Sequence, residues 1–164
     1  MQCVICKKRP VTVFQYCSLC VVHLIEKRAR KYIKEHHKLK KGQTIVANTP
    51  LSKYFAEHVI HVPVNIINKK RKISEVIIST DTLNDCVVSF LERLFTEKKE
   101  KKTKELLLFS TITDQELKIY CKVHKIPFKI KQHKLKEILQ KVEYAHPGTV
   151  YGLYKSKEEL KKIF

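Results

Sequence analysis

The sequence predicts an α/β protein, a parallel sheet covered by helices on both faces and preceded by a small metal-stapled knob. Three observations carry this expectation. Short β-branched runs alternate with stretches of helical periodicity, the order from which parallel sheets are built. Several of those runs are apolar throughout, as strands buried on both faces are. The first 23 residues also hold five candidate metal ligands: Cys3, Cys6, Cys17, Cys20 and His23.

From Val21 to His37 the apolar residues Val22, Ile25, Ala29, Tyr32 and Ile33 recur at helical spacing, with Lys27, Arg28, Arg30, Lys31 and Lys34 on the remaining surface. This is a basic amphipathic helix that ends near Lys41 and Gly42. Thr44 to Ala47 reads as a short strand. Thr49 can cap, and Pro50 suits the first turn of, a helix that runs from Leu51 to His58. Val59 to Ile67 is β-branched and reads as strand, and Asn68 to Lys72 as a basic loop. Ser74 to Ser79 is a strand of the buried type leading into a helix from about Leu83 to Thr96. Glu97 to Lys104 is charged and exposed, and Leu106 to Phe109 is another buried strand. Thr113 caps a helix through Val123, Pro127 to Ile130 is extended, Lys134 to Glu143 is helical, and Lys157 to Ile163 forms the last helix.

Tetrahedral Zn²⁺ takes four thiolate or imidazole donors, and a C-x-x-C pair delivers two of them from one turn. Cys3 and Cys6 form such a pair. Two second pairs compete for the other positions, Cys17 with Cys20 as C-x-x-C and Cys20 with His23 as C-x-x-H. Between the pairs lies a hairpin-like segment, with Lys7, Lys8, Arg9 and Pro10 at its tip and Val11, Val13 and Phe14 running back, the pattern of a zinc ribbon or knuckle. No signal peptide precedes Cys3, which argues against a secreted disulfide framework. Cys86 and Cys121 sit inside apolar patterns as small core residues.

A chain of 164 residues with 43% hydrophobic content supports one modest core. No apolar run approaches the roughly 20 residues of a membrane span. Nothing at Met1 resembles a targeting sequence, so the expected location is a reducing cytoplasm. The formal charge of +18, from 34 Lys+Arg against 16 Asp+Glu, points to a polyanionic partner. Nucleic acid is favoured over an anionic membrane because no helix pairs a basic face with a Trp/Phe-rich one. The cations of the first long helix, joined by Lys69 to Lys72 and Lys98 to Lys104, would hold phosphates without reading sequence. Tyr16, Tyr32, Tyr54 and Tyr151 lie near basic residues and could stack a splayed base.

Ligands of parallel sheets bind at the carboxyl ends of strands, usually where a glycine-rich turn brings backbone N–H groups to a phosphate. The three glycines, Gly42, Gly148 and Gly152, all lie elsewhere. After Thr44 to Ala47 the chain reads Asn48-Thr49-Pro50-Leu51-Ser52-Lys53, where Pro50 removes an N–H and Leu51 fills the space a phosphate would need. This turn is a poor phosphate cradle.

The order of zinc knuckle, basic helix, K-G-x-x-I-x-V-A strand and phosphate turn resembles the TtuA-like family of tRNA 2-thiolation enzymes, ATP-dependent members of the PP-loop superfamily. Leu19-Cys20-Val21-Val22-His23 matches the family's L-C-x-x-H, so the resemblance implies Cys3, Cys6, Cys20 and His23 as the ligands of one zinc, with Cys17 the alternative. Asn48 to Lys53 stands where the family carries its S-G-G-x-D-S adenylating loop. Ile78-Ser79-Thr80-Asp81-Thr82-Leu83-Asn84-Asp85 stands in place of A-T-G-H-N-L-D-D, keeping the final Asp but losing the Gly, the His and the preceding Asp. Thr113 to Tyr120 with Lys125-Ile126-Pro127-Phe128 is similar to the family's E-x-x-x-Y and G-I-P-F stretch. Tyr144 to Thr149, with Leu153 and Ser156, is similar to its C-P-Y-A and P-G-T-K-Y-x-L-x-x-S tail.

The resemblance covers most of the chain in degraded form. A long family segment is missing between Lys53 and Ser74, together with a C-x-x-C of an iron–sulfur cluster; Val142 or Glu143 replaces the third cluster cysteine, and a second zinc module is absent after Phe164. The resemblance therefore implies a zinc-binding knuckle at 1–24, a basic linker helix at 25–42 and a degenerate PP-loop-like α/β domain at 43–164. It implies a non-catalytic subunit of the wobble-uridine thiolation system, with zinc but no ATP and no iron–sulfur cluster, binding tRNA through Lys27, Arg28, Arg30, Lys31 and Lys34. Its expected protein partner is a copy of itself or a catalytic paralogue. Two other classes remain open: a stand-alone zinc-containing nucleic-acid regulator, and an active enzyme of unrecognised mechanism using Asp85, His58, His61 and His133.

Overall fold

Four short strands, β1 (Thr44–Val46), β2 (Asn65–Ile67), β3 (Val76–Ile78) and β4 (Glu105–Leu106), form a parallel sheet in the order β2-β1-β3-β4. The computed structural model describes residues 1–36, 39–69, 75–96 and 105–160. Ile45 is in register with Ile66 on one side and Val76 on the other, and Ile78 with Leu106. The chain moves outward from β1 to β2, crosses back to β3 and continues to β4, so the strand order reverses between β1 and β3. In open α/β sheets that reversal opens a crevice at the carboxyl ends of the two strands.

Six helices accompany the sheet among the described residues: α1 (Ser18–His36), α2 (Pro50–His58), α3 (Leu83–Thr96), α4 (Asp114–Val123), α5 (Lys134–Ala145) and α6 (Thr149–Leu160). Right-handed crossovers in opposite directions put α2 and α3 on opposite faces. The buried side chains divide accordingly. The larger core joins Ile25, Ala29 and Ile33 of α1 to Phe55 of α2, Leu117 and Tyr120 of α4 and the strand residues Ile45 and Ile78. A smaller core joins Leu83 and Val87 of α3 to Leu139 of α5 and Val150 of α6. The basic helix α1 thus packs its apolar stripe on α4 and shares the core of the sheet.

Local chemistry explains the helix starts. Thr49 and Ser52 form a reciprocal capping box at α2, Thr113 and Glu116 another at α4, and the ring of His133 accepts the Leu135 N–H at α5. Helix α3 spans the residues expected for it. The expected strand from Val59 to Ile67 pairs only over Asn65–Ile67. The N–H groups of Val59 and Ile60 both donate to the Phe55 carbonyl at 3.0 Å, closing α2, and Pro63 has no N–H for a ladder. Likewise the apolar run from Leu106 to Phe109 leaves the sheet after Leu106; Ser110 donates to Leu107 and Ile112 to Phe109, and this turn buries Leu108 and Phe109.

The last helix begins at Thr149 rather than Lys157. The Glu143 carboxylate accepts the N–H groups of Gly148 (2.7 Å) and Val150 (2.8 Å), so an acid of the preceding helix caps this one from outside. The basic runs expected at Lys70 to Lys72 and Lys98 to Lys104, and the helical residues beyond Leu160, lie outside the described residues; Lys69 is exposed.

Candidate metal centre and nucleic-acid interface

Two turns build the knob. The first is Cys3 to Cys6, closed by the Lys7 N–H donating to the Cys3 carbonyl at 2.8 Å and anchored by the Cys3 N–H to the Arg9 carbonyl at 2.9 Å. The second is Cys17 to Cys20, which runs into the first turn of α1 as Val21 donates to the Cys17 carbonyl at 3.0 Å. Between them, isolated antiparallel bridges pair Gln2 with Pro10 and Val13 with Tyr16, the expected hairpin-like return. Lys7 takes φ of 52°, the left-handed geometry that such a turn demands and that a β-carbon opposes.

The sulfur atoms of Cys3, Cys6, Cys17 and Cys20 all lie within 4.8 Å of one another, and Cys6 Sγ is 3.8 Å from Cys17 Sγ. Cys3, Cys17 and Cys20 are buried and Cys6 is partly open. The Cys3 thiol is held down at about 6, chiefly by the Cys6 backbone N–H, against the opposing effect of burial. The Cys17 thiol is lowered in the same way by the Cys20 N–H. In both C-x-x-C turns, then, the first sulfur accepts an N–H from the second cysteine, an arrangement that favours thiolate. Burial pushes Cys20 up to about 12, with the neighbouring sulfurs adding to it, the position of a thiol that a cation would have to deprotonate. Four such donors could hold a metal ion. His23, one helical turn after Cys20, is exposed and is not among the grouped donors. Cys86 and Cys121 are buried in apolar surroundings.

Along α1 the five expected cations divide. Arg28 Nη1 reaches Glu116 Oε1 of α4 at 2.8 Å and also approaches the Thr111 carbonyl at 3.4 Å. Arg30 lies 3.5 Å from Glu26 and 3.4 Å from His61. Lys27, Lys31 and Lys34, spaced by one turn, are exposed; Lys31 makes only a loose pair with Glu35 at 3.8 Å, and Lys27 and Lys34 have no ion pair among the described residues.

Asp85 closes the N-terminus of α3, accepting the Thr82 N–H at 3.0 Å while Thr82 accepts the Asp85 N–H. Its other oxygen meets Lys136 Nζ of α5 at 2.7 Å, and the same ammonium reaches Asp114 of α4 at 2.9 Å. Nearby, burial raises the Asp81 carboxyl, but hydrogen bonds from Lys131 and Ser79 outweigh it and hold Asp81 below the usual range. Sequence reasoning missed this buried clamp. Its signal was Lys136, a cation three residues before Leu139 on the apolar stripe of α5. His58, His61 and His133 each engage a different neighbour: Glu57, Arg30 and Glu92.

A groove of about 1320 Å³ opens between the knob and α1 on one side, α4 at the floor, and α5 and α6 on the other. At the switch point between β1 and β3 no comparable cradle forms at the helix N-terminus: the Thr49 hydroxyl takes the Ser52 N–H at 3.1 Å, and Pro50 has none to offer.

No protein-family model matches the sequence, and no curated protein does. A solved structure matches along 100% of this chain and 88% of its own: the U34-tRNA thiolase NcsA from Methanococcus maripaludis, with its 4Fe–4S cluster, at a TM-score of 0.67 and 12% identity. The fold is thiolase-like. The expectation that the chain is not an enzyme is corrected here: the solved structure matched along the whole of this chain is an enzyme, and the absence of a glycine-rich turn does not by itself mark a non-catalytic chain. Among the described residues no helix is long and apolar enough to cross a membrane.

Proposed function

We propose that this protein acts in tRNA thiolation, holding tRNA through α1, which a zinc ion bound by Cys3, Cys6, Cys17 and Cys20 fixes at its N-terminus. The observation that carries the reading is the continuity of Cys20 with the Lys27, Lys31 and Lys34 stripe on one helix of a thiolase-like fold. A four-thiolate site would fix the first turn of α1, and the buried stripe of α1 fixes the rest, so the three lysines are offered to a phosphate backbone from a fixed helix face.

The donor set fits zinc. With Zn–S near 2.3 Å, the sulfurs of a tetrahedral site lie about 3.8 Å apart, and the Cys6 to Cys17 separation is 3.8 Å. One ion gathers four sulfurs as closely as they are gathered here, whereas the separate irons of a cluster spread them. The zinc supplies folding free energy and cross-links the two turns; the chain's own residues make the RNA contacts. In this reading the β1–α2 turn takes no ATP phosphate, because its cap is closed by Thr49 and Ser52. The exposed apolar pair Ile138 and Val142 on α5 suits a second copy or a related subunit.

The test is tRNA affinity as a function of salt. A phosphate held by an ammonium group sheds its counterions, so charge reversal at Lys27, Lys31 and Lys34 lowers the slope of log K against log salt by about 0.7 to 0.9 for each phosphate no longer held. Equal affinity for tRNA and for duplex DNA would favour a general nucleic-acid regulator, and no tRNA affinity at all would end the proposal.

A further inference from the structure

We propose that the groove between α1 and the α5–α6 hairpin receives unpaired RNA bases, while the lysine row beside it holds their phosphates. This deepens the tRNA reading and rests on it, because it assigns the part of the RNA that lies here.

The groove differs in character from the rest of a chain that carries a net charge of +18. Five Lys/Arg side chains line it against five Asp/Glu, among them the pairs Arg28 with Glu116 and Lys136 with Asp114, so the lining carries no net charge. The walls also offer the amides of Gln15, Asn84, Gln115, Gln132 and Gln140. Around them stand aromatic rings, and three are open to solvent: Tyr144 is 92% exposed, Tyr151 59% and Phe14 56%. Phe14 is also held at φ of 50°, a geometry a bulky residue adopts at a cost. A neutral cleft of amides and exposed rings has little to offer a phosphate but suits the flat face and polar edge of a base.

The phosphates have a place of their own. Lys31 both lines the groove and belongs to the exposed row with Lys27 and Lys34, so a strand running along α1 would keep its backbone on the ammonium groups and turn its bases inward. The volume of about 1320 Å³ exceeds the 300–1,000 Å³ or so of sites for single small molecules, and an open cleft of that size fits a short run of nucleotides. A paired helix could not use it, because its bases are already stacked and its edges hidden. The site therefore selects an unpaired loop.

The experiment compares two probes on the full chain, an RNA hairpin with an unpaired loop and a fully paired RNA duplex with the same number of phosphates, by fluorescence anisotropy. The hairpin should bind more tightly. Tyr144→Ala and Tyr151→Ala, both at exposed positions, should each weaken the hairpin roughly 5- to 150-fold, the strength of one base–aromatic stack, leaving the duplex affinity and the salt slope unchanged. Tyr144→Phe, which keeps the ring, should bind as the parent does. Equal binding of the two probes, or tyrosine variants that bind the hairpin normally, overturns the groove while leaving the lysine row and the tRNA reading intact. If the variants instead lose self-association in sedimentation with RNA binding unchanged, the face is a protein interface and the groove proposal fails. Failure of the parent chain to bind either probe overturns the tRNA reading itself.

Discussion

Arg28 of α1 donates to Glu116 of α4 at 2.8 Å, and Glu116 is the same residue that closes the capping box of α4. One carboxylate thereby fixes a helix start and docks the helix that leaves the metal knob. The Glu116 side chain is 5% exposed and that of Arg28 37%. Arg28→Ala should cost about 1–3 kcal/mol in denaturant unfolding, the scale of leaving a buried charged acceptor short of a partner. Lys27→Glu should leave stability within about 0.5 kcal/mol while weakening tRNA binding. An Arg28 variant as stable as the parent would show that this ion pair is dispensable.

The sulfur grouping sets Cys17 against His23. Cys17→Ser should release the metal and loosen the N-terminus, and His23→Ala should retain it, as read by bound zinc per chain in elemental analysis and by chelator-induced change in circular dichroism. Metal absent from the histidine variant and kept by the serine variant would restore the Cys3, Cys6, Cys20 and His23 set. Iron in place of zinc, with the absorption of a cluster, would reject the zinc assignment.

Lys7 follows Cys6 at φ of 52° with its N–H donated to Cys3, a position glycine adopts freely. Lys7→Gly should therefore stabilise the metal-loaded knob by about 0.5–1 kcal/mol despite the greater freedom of glycine in the unfolded chain. A fall in the melting temperature of that variant would mean that the lysine side chain contributes more than its backbone costs.

Most of the architecture was legible because local signals and tertiary demands agree. Thr49 with Pro50, Thr113 and the apolar stripe of α1 each announce an element that the fold then uses. Where they disagree, the sequence misleads. Val59 and Ile60 look like strand but close a helix, and Leu108 and Phe109 are buried by a turn after the ladder has ended. Gly152 inside α6, and a cap supplied by Glu143 from the preceding helix, hid that helix until Lys157. In the knob the spacing marked five candidate donors, but which four come together depends on which face of α1 meets the Cys3 turn. Arg28 and Lys31 share a helix and a charge; only their neighbours separate a cation paired with a buried acid from an exposed one.

Lys136 stands between Asp85 and Asp114 with its side chain only 10% exposed, and it ties α5 to the starts of α3 and α4. Lys136→Met should destabilise by roughly 3–5 kcal/mol, because two carboxylates would then face each other without a cation. Adding Asp114→Asn should recover part of that stability. Equal stability of Lys136→Met and parent in urea would mean that the carboxylates are solvated in the folded protein and the clamp is weak.

The proposed role in tRNA thiolation is tested by 2-thiouridine in tRNA, measured by mass spectrometry in the native organism with and without this gene. Deletion should lower the 2-thiouridine content of the wobble position, the parent gene should restore it, and a copy with Lys27, Lys31 and Lys34 reversed in charge should not. Unchanged 2-thiouridine in the deletion strain would contradict it.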